Sequence, residues 1–339
     1  TDKGEIITAT AWVVIVMAMV MTFMGSTSND SAFNAWVTDI TTPETTPKVE
    51  TAFTFMGFIA MGVIMVVGSL AQGGVIPYSI FFIGLGVVVT LAGVAGIFLI
   101  DNPEKFDKVD VDAPKTSYWA DLFYGFRPSV IKENSALYLI LSAFCIFNCA
   151  FQVFFPYLFI YLGSVVIPAN EGTNLLSLGV IIPAVIAVAV AVTGIIVLMK
   201  VATKNKSVSF LTSVVCLVAG LLVLSTTTNI LGILMGIAPM LIGYLVLTIQ
   251  FGATVRDNIP QDKVGLFQGI RMIFTVLIPM IVSPTLGNIA AKNSNVIFEY
   301  NYAEKLLPTE DMFLYAAFFA ALIFIPMIAF LIKDHKKSL

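Results

Sequence analysis

Histidine is nearly missing from this sequence: the one imidazole, His335, sits in the final turn of the chain, and the three cysteines, Cys145, Cys149 and Cys216, all lie in apolar runs. That supply excludes a disulfide framework and a His/Cys metal site, and no catalytic triad, phosphate-cradling loop or zinc spacing occurs. No enzyme activity and no cofactor are therefore expected. Charge is scarce as well. Asp, Glu, Lys and Arg make up 12% of the 339 residues, against about 25% in an ordinary soluble domain. Nucleic-acid binders, disordered scaffolds and typical soluble enzymes are excluded by that shortage. What the chain has in its place is hydrophobicity: 58% of residues are apolar and the mean hydropathy is +0.95. The net charge of -3 says little about partners when most of the chain lies in lipid. The expected fold class is all-α, a polytopic membrane protein whose first partner is the bilayer.

A helix needs roughly 20 mainly apolar residues to cross a membrane. Nine stretches meet that requirement, near Thr8–Thr38, Val49–Leu70, Ile76–Ile100, Ser135–Ile167, Leu175–Lys200, Ser209–Leu224, Ile230–Val255, Gly265–Ala291 and Met312–Ile332. The first and fourth are long enough to tilt or project, and Pro156 and Pro183 are expected to bend their helices.

Sorting every Lys and Arg by the side on which its loop falls tests the count. Fifteen of the eighteen collect on one face, and only Lys3, Lys292 and Lys305 fall on the other. The rich face is read as cytoplasmic, which places the start outside and the tail inside a plasma or inner membrane. The longest connection, 101–134, is then a cytoplasmic linker with seven acidic and five basic residues. Within it Trp119, Leu122, Phe123 and Phe126 recur at helical spacing, consistent with a helix lying in the membrane interface or packed under the bundle.

Two connections repeat a pattern. TDITTPETTPKVETAF, from Thr38 to Phe53, and RDNIPQDKVGLF, from Arg256 to Phe267, each carry an Asp ending a helix (Asp39, Asp257), then a Pro (Pro43, Pro260), then Lys-Val and a Phe opening the next helix. Six segments separate the copies and both fall on the same side, as a parallel repeat of six helices requires. Parallel six-helix halves resemble the major facilitator superfamily. That resemblance implies that the nine segments are helices four to twelve of twelve. Residues 1–100 then form the remainder of the first bundle, 101–134 the interdomain loop and 135–339 the second bundle. It also implies three helices before Thr1, in keeping with a start that has neither Met nor a basic leader.

A finer resemblance lies in GSTSNDSAFNAWVTDITTPE (Gly25–Glu44), FRPSVIKENSALYL and DNIPQDKVGLFQGIRM, which are similar to the glycoside, pentoside and hexuronide cation symporter branch. That likeness implies a fourth-helix Asp that binds sugar, at Asp30, and coupling to Na+ or H+. The chain departs from the branch where a fifth-helix Arg becomes Phe55 and an eleventh-helix Lys falls near Thr275. The branch's cation-holding acids lie mainly on its second helix.

The residues themselves make Asp30 the most informative position, because an ionised Asp central in a membrane helix costs about 2.5 to 3.5 kcal/mol on insertion scales. Asn34 lies one turn further on the same face and Thr27 one turn back. A buried pairing with a basic neighbour would also account for the Asp, and Asn29 points elsewhere. Asn148 and Gln152, one turn apart, suit a polyhydroxylated ligand or equally an interhelical contact. Tyr157 and Tyr161 continue that face as stacking surfaces or an aromatic belt. Tyr244 and Thr248 share a face and complete the candidate cavity wall, with Gln250 on another. Gln268 and Arg271 open the next helix, where Arg271 is expected to snorkel or to pair with Asp257 or Asp262 in a structural or gating salt bridge, and Asp39 is counted with Asp257 and Arg271 as a gating or structural residue. Gly194 with Lys200, Lys204 and Lys206 resembles a degenerate basic loop motif of the superfamily, or plain positive-inside charge. Cys145 and Cys149 read as small packing residues.

The expectation is a monomeric secondary transporter working by alternating access, with a sugar or glycoside as small-molecule partner and a cation for coupling. A drug or metabolite exporter of the same superfamily, or a non-transporting receptor or remnant, stays open on the residues alone.

Overall fold

The computed structural model describes residues 3–28, 31–42, 44–72, 75–99, 124–170, 172, 178–260, 263–293, 297–300, 303–306 and 309–337. Among them, nine helices are long and apolar enough to cross a membrane, and they fall where the apolar stretches of the sequence lie. The helices are α1 (Lys3–Ser28), α2 (Ser31–Ile40), α3 (Thr46–Gln72), α4 (Tyr78–Leu99), α5 (Pro128–Glu133), α6 (Ser135–Phe154), α7 (Leu178–Lys204), α8 (Lys206–Leu224), α9 (Ile230–Asn258), α10 (Val264–Met272), α11 (Ile278–Asn293), α12 (Asp311–Leu322) and α13 (Phe324–Lys337). The interface helix expected around Trp119, Leu122 and Phe123 lies outside the described residues. Phe126 belongs to a short 3-10 turn, Tyr124–Phe126.

The all-helical plan has one local departure among the described residues. Strands β1 (Ile297–Tyr300) and β2 (Ala303–Leu306) pair antiparallel in the connection between α11 and α12, with Ile297 opposite Leu306 and Tyr300 opposite Ala303. β1, Ile-Phe-Glu-Tyr, carries one β-branched and two aromatic residues, types enriched in strands, whereas β2, Ala-Glu-Lys-Leu, has neither and is a strand through its pairing with β1.

The chain divides into two compact units, Thr1–Glu50 with Leu122–Leu339, and Thr51–Asp121. In the smaller unit the Tyr78–Leu99 span has no buried residue, so its apolar side chains face outward, as lipid-facing residues do. In the larger unit α6 is the central helix and packs against α9, α11, α12 and α13. Its Ile140, Leu141 and Val153 are fully enclosed together with Phe210 and Val214 of α8, Phe251 of α9 and Ala316 and Ala320 of α12. Rings fill the seam between α6 and α9: Phe144 stacks on Phe251 at 5.2 Å, Phe147 on Tyr244 at 5.5 Å and Phe151 on Tyr244 at 4.4 Å.

Helices α8 and α9 pack through glycine. A side chain at Gly220 would run into the backbone of Gly236 and Met240, and one at Gly243 into the backbone of Ser213 and Leu217. Small residues of this kind let membrane helices approach closely, which matters where no hydrophobic force drives helix association. Both helices start on asparagine caps: Asn205 Oδ1 accepts from the Val208 N–H at 3.2 Å and Asn229 Oδ1 from the Leu231 N–H at 3.0 Å.

Two helices change pitch. After Phe154 the chain runs as a 3-10 turn, Phe155–Tyr157, with Pro156 near its start; a proline has no N–H to continue the α ladder. A π-turn, Ile273–Leu277, separates α10 from α11, and the Ile278 N–H donates to the Ile273 carbonyl five residues back. Pro183, Pro239 and Pro284 lie inside α7, α9 and α11.

Candidate functional site: a buried polar network joining the repeated connections

Four segments of the larger unit converge at the end of the bundle that holds the α9–α10 turn. α2 brings Asn34 and Thr38, spaced i, i+4 and so stacked on one face. The first turns of α3 bring Glu50, the last turn of α9 brings Arg256, and α10 brings Gln268 and Arg271.

Arg256 is the hub. Its Nε donates to Glu50 Oε1 in a salt bridge, Nη1 donates to the Asn34 carbonyl at 2.9 Å and to Thr38 Oγ1 at 3.1 Å, and Nη2 donates to Asn34 Oδ1 at 3.1 Å. Gln268 Nε2 donates to the same Thr38 hydroxyl at 2.9 Å. Arg271 Nη1 lies at 3.4 Å from both Asn34 Oδ1 and Gln268 Oε1. These groups are out of water: relative exposure is 3% for Arg256, 6% for Glu50, 5% for Thr38 and 0% for Gln268. A planar guanidinium with a fork of fixed donors suits this work better than a lysine, since it serves several acceptors at once.

Gly252, one turn before Arg256, makes the room. A Cβ there would collide with the Glu50 carboxylate. The Thr38 hydroxyl donates to the Asn34 carbonyl at 2.8 Å, which leaves its lone pairs for the two donors from α9 and α10. The arrangement lets one helix hydroxyl and one amide tie α9 and α10 to α2, with Glu50 of α3 held through Arg256.

The expected site residues distribute as follows. Asp30, the expected sugar ligand, and Asn29 lie outside the described residues, as does Asp262. The helix carrying Asp39 is described, but its side chain is not. Asp257 is exposed at the end of α9, and Arg271, expected to pair with Asp257 or Asp262, hydrogen-bonds to Asn34 and Gln268. The described ion pair at this end is Glu50–Arg256. Asn148 Nδ2 donates to the Phe144 carbonyl at 2.9 Å and the Thr248 hydroxyl to the Tyr244 carbonyl at 2.7 Å, both within their own helices. Gln152 is half-buried one turn beyond Asn148. Tyr244 is engaged by Phe147 and Phe151, Tyr161 lies edge-on to Phe313 at 5.5 Å, and Tyr157 packs over Gly287. Gln250 donates to the Ser209 hydroxyl at 2.7 Å, on a different face from Tyr244. Gly194 packs against Ile242.

Arg256, Glu50 and Thr38 were not singled out by sequence. Arg256 counted among loop charges, and Glu50 stood out by nothing except its place beside the Lys48-Val49 pair. The repeat held the missing signal, because Thr38 and Arg256 each precede the motif Asp of their own copy. A second anchor holds the same turn: Lys263 Nζ donates to Tyr124 Oη at 2.6 Å, and the Tyr138 hydroxyl donates to the Gly125 carbonyl. Among the described residues, no group of three or more His, Cys, Asp or Glu side chains could hold a metal.

Nine apolar spans among the described residues, a bundle gathered around one central helix and a buried charge network at one end describe a polytopic helical membrane protein. A family model of the Major Facilitator Superfamily matches residues 6–284. The chain belongs to that superfamily and is a secondary membrane transporter for small-molecule solutes, in a family of transporters, not enzymes. No curated protein and no solved structure matches it.

Proposed function

We propose that the chain serves as a sugar or glycoside symporter, driven by Na+ or H+ and working by alternating access, with residues 1–100 in one moving half and 135–339 in the other. Asp30 binds ligand hydroxyls or shares in cation coupling, and Asn34, Asn148, Gln152, Tyr244 and Thr248 orient the ligand. The observation that carries the reading is the buried Glu50–Arg256 pair with its Asn34 and Thr38 partners. It joins the repeated connection of the first half to that of the second, where a latch closing the cytoplasmic side would be needed. Asn34 belongs to the latch through its amide and carbonyl and stands four positions after Asp30 in the sequence, so ligand binding at Asp30 and release of the latch are coupled through this segment.

The test is solute-dependent Na+ or H+ uptake by the full-length protein in membrane vesicles, across a panel of glycosides. A coupled signal abolished by Asp30→Asn is expected. Uptake unchanged in Asp30→Asn would remove Asp30 from the site.

The aromatic seam favours a second reading. Phe147 and Phe151 each stack on Tyr244 and the Asn148 and Thr248 side chains bond to their own helices, which leaves a wall suited to an apolar cargo. Efflux of a hydrophobic cation, with no glycoside uptake, would select the exporter.

A further inference from the structure

We infer that Cys145 and Cys149 form a two-thiol site for trivalent arsenic, taken up as uncharged arsenous acid. Both cysteines lie on α6, four positions apart, so their side chains stack on one helix face. They are buried inside the bundle, 9% and 5% exposed. The two thiols hydrogen-bond each other, and the Cys149 thiol also hydrogen-bonds Ser283 of α11. The Ser283 hydroxyl, itself fully enclosed, donates to the Cys149 carbonyl at 3.2 Å. A hydroxyl has one proton to give, so toward sulfur Ser283 is the acceptor. The Cys149 S–H therefore donates to Ser283 Oγ and the Cys145 S–H to Cys149 Sγ. Two sulfurs and one oxygen stand in a row, set by one helix and by its packing against another.

The donor set selects the ligand. Thiolate sulfur is a soft donor and favours soft partners. A structural zinc shell takes four protein ligands, and among the described residues no cluster of three or more His, Cys, Asp or Glu exists to build one. A linear two-coordinate ion would hold its sulfurs on opposite sides, two bond lengths apart, whereas these thiols are in hydrogen-bonding contact. Trivalent arsenic is pyramidal: it takes two neighbouring sulfurs at close to a right angle and keeps one oxygen as its third ligand. Ser283 stands beside Cys149 to hydrogen-bond that oxygen. In the binding step two As–O bonds of arsenous acid break and two As–S bonds form, and each departing hydroxide leaves as water with one thiol proton. The product is a dithioarsenite that carries one hydroxyl. Arsenic stays trivalent throughout, so the step needs no oxidant and no reductant.

Depth favours the same choice. Cys145 stands ten residues after Ser135, the first residue of α6, which is about 15 Å along the helix axis and half of a hydrocarbon core roughly 30 Å thick. A metal cation would have to give up its hydration to reach that level. Arsenous acid arrives neutral, and the two protons it needs for its leaving groups come from the thiols themselves. Cys216 lies on a different helix, α8, and offers a single sulfur, so it can replace only one of the arsenic oxygens.

The test incubates the full-length protein in lipid vesicles with arsenite at neutral pH, removes the excess, and reads retained arsenic by elemental mass spectrometry and its ligands by arsenic X-ray absorption. One arsenic per chain is expected, with two sulfurs and one oxygen around it. Dimercaptopropanol should strip it, and mercaptoethanol at the same thiol concentration should not. Cys145→Ser and Cys149→Ser should each lower retention by about tenfold or more, because one As–S bond is lost with the chelate. Cys145→Ala and Cys149→Ala should do the same and keep the test readable if a buried serine disturbs folding. Cys216→Ser should retain arsenic as the wild type does. Ser283→Ala keeps both sulfurs and should raise the dissociation constant about fivefold, the scale of one neutral hydrogen bond. No retention by the wild type, retention that survives Cys145→Ala, or loss in Cys216→Ser would overturn the assignment.

Discussion

Two polar regions of the larger unit solve the same problem in opposite ways. Around Arg256 the polar groups reach across helices, and each is satisfied by a partner on another segment. Along the α6–α9 seam, Asn148 and Thr248 are satisfied by carbonyls of their own helices, and what crosses between α6 and α9 is the stack of Phe144, Phe147, Phe151, Tyr244 and Phe251. A side chain bonded to its own helix is free to change partners when a ligand arrives. A side chain bonded to a different helix must break a tie that holds the fold. The first region is therefore suited to switching as a unit and the second to local exchange.

The difference is open to direct attack. Arg256→Ala removes the guanidinium that faces the buried Glu50 carboxylate and should cost about 3 to 5 kcal/mol of stability, whereas Glu50→Leu with Arg256→Met should recover most of it. Denaturation in lipid nanodiscs reads both, and equal losses for the single and double variants would mean that the cost comes from losing the pair and its network and not from a stranded charge. Arg256→Lys keeps the charge but not the fork, and should fall between wild type and alanine.

The glycine seam comes next in size. Gly243→Val pushes a branched side chain into the α8 backbone and should cost about 1 to 3 kcal/mol or more, seen as a lower midpoint in the same assay. A neutral result would require α8 and α9 to part without loss.

Asn148→Leu should cost only about 0.6 kcal/mol, the scale of an average polar contact in a membrane. If Asn148 orients ligand, KM should rise tenfold or more in the uptake assay while the midpoint hardly moves. A large loss of stability with unchanged KM would place Asn148 with the network and erase the contrast. Thr248→Val should be smallest, within about 0.5 kcal/mol of wild type, because the bond it loses is a local one on its own helix.

Much of this architecture was legible beforehand. Apolar runs long enough to span a bilayer announce themselves by composition alone, and Pro156 marked the point where α6 gives way to a 3-10 turn. The repeated Asp-Pro-Lys-Val connection located the end of the bundle where the network forms. The partners were not legible. Arg271 and Asp257 lie close in sequence, yet Asp257 remains exposed and Arg271 turns to Asn34, because orientation around a helix is set by what packs against it and not by proximity along the chain. Glu50 and Arg256 are separated by 206 positions, and each taken singly resembles an ordinary charge at a membrane boundary. The hairpin at Ile297–Leu306 escaped for the opposite reason, since a strand of four residues carries too short a pattern to be distinguished from a loop.

The π-turn at Ile273–Leu277 has a genetic consequence. A π-turn is an α-helix that has accepted one surplus residue, so this stretch should respond to a single-codon deletion differently from its neighbours. Removing one residue inside it would restore an unbroken α-helix and leave the faces of α10 and α11 in register, whereas removing one residue from the regular turns of α10 or α11 would rotate the flanking segments by about 100°. After the first deletion Gln268 and Arg271 would still face Asn34; after the second they would turn away. An in-frame deletion of Thr275 should thus be tolerated by the network where deletion of a residue in the adjoining α-helix is not.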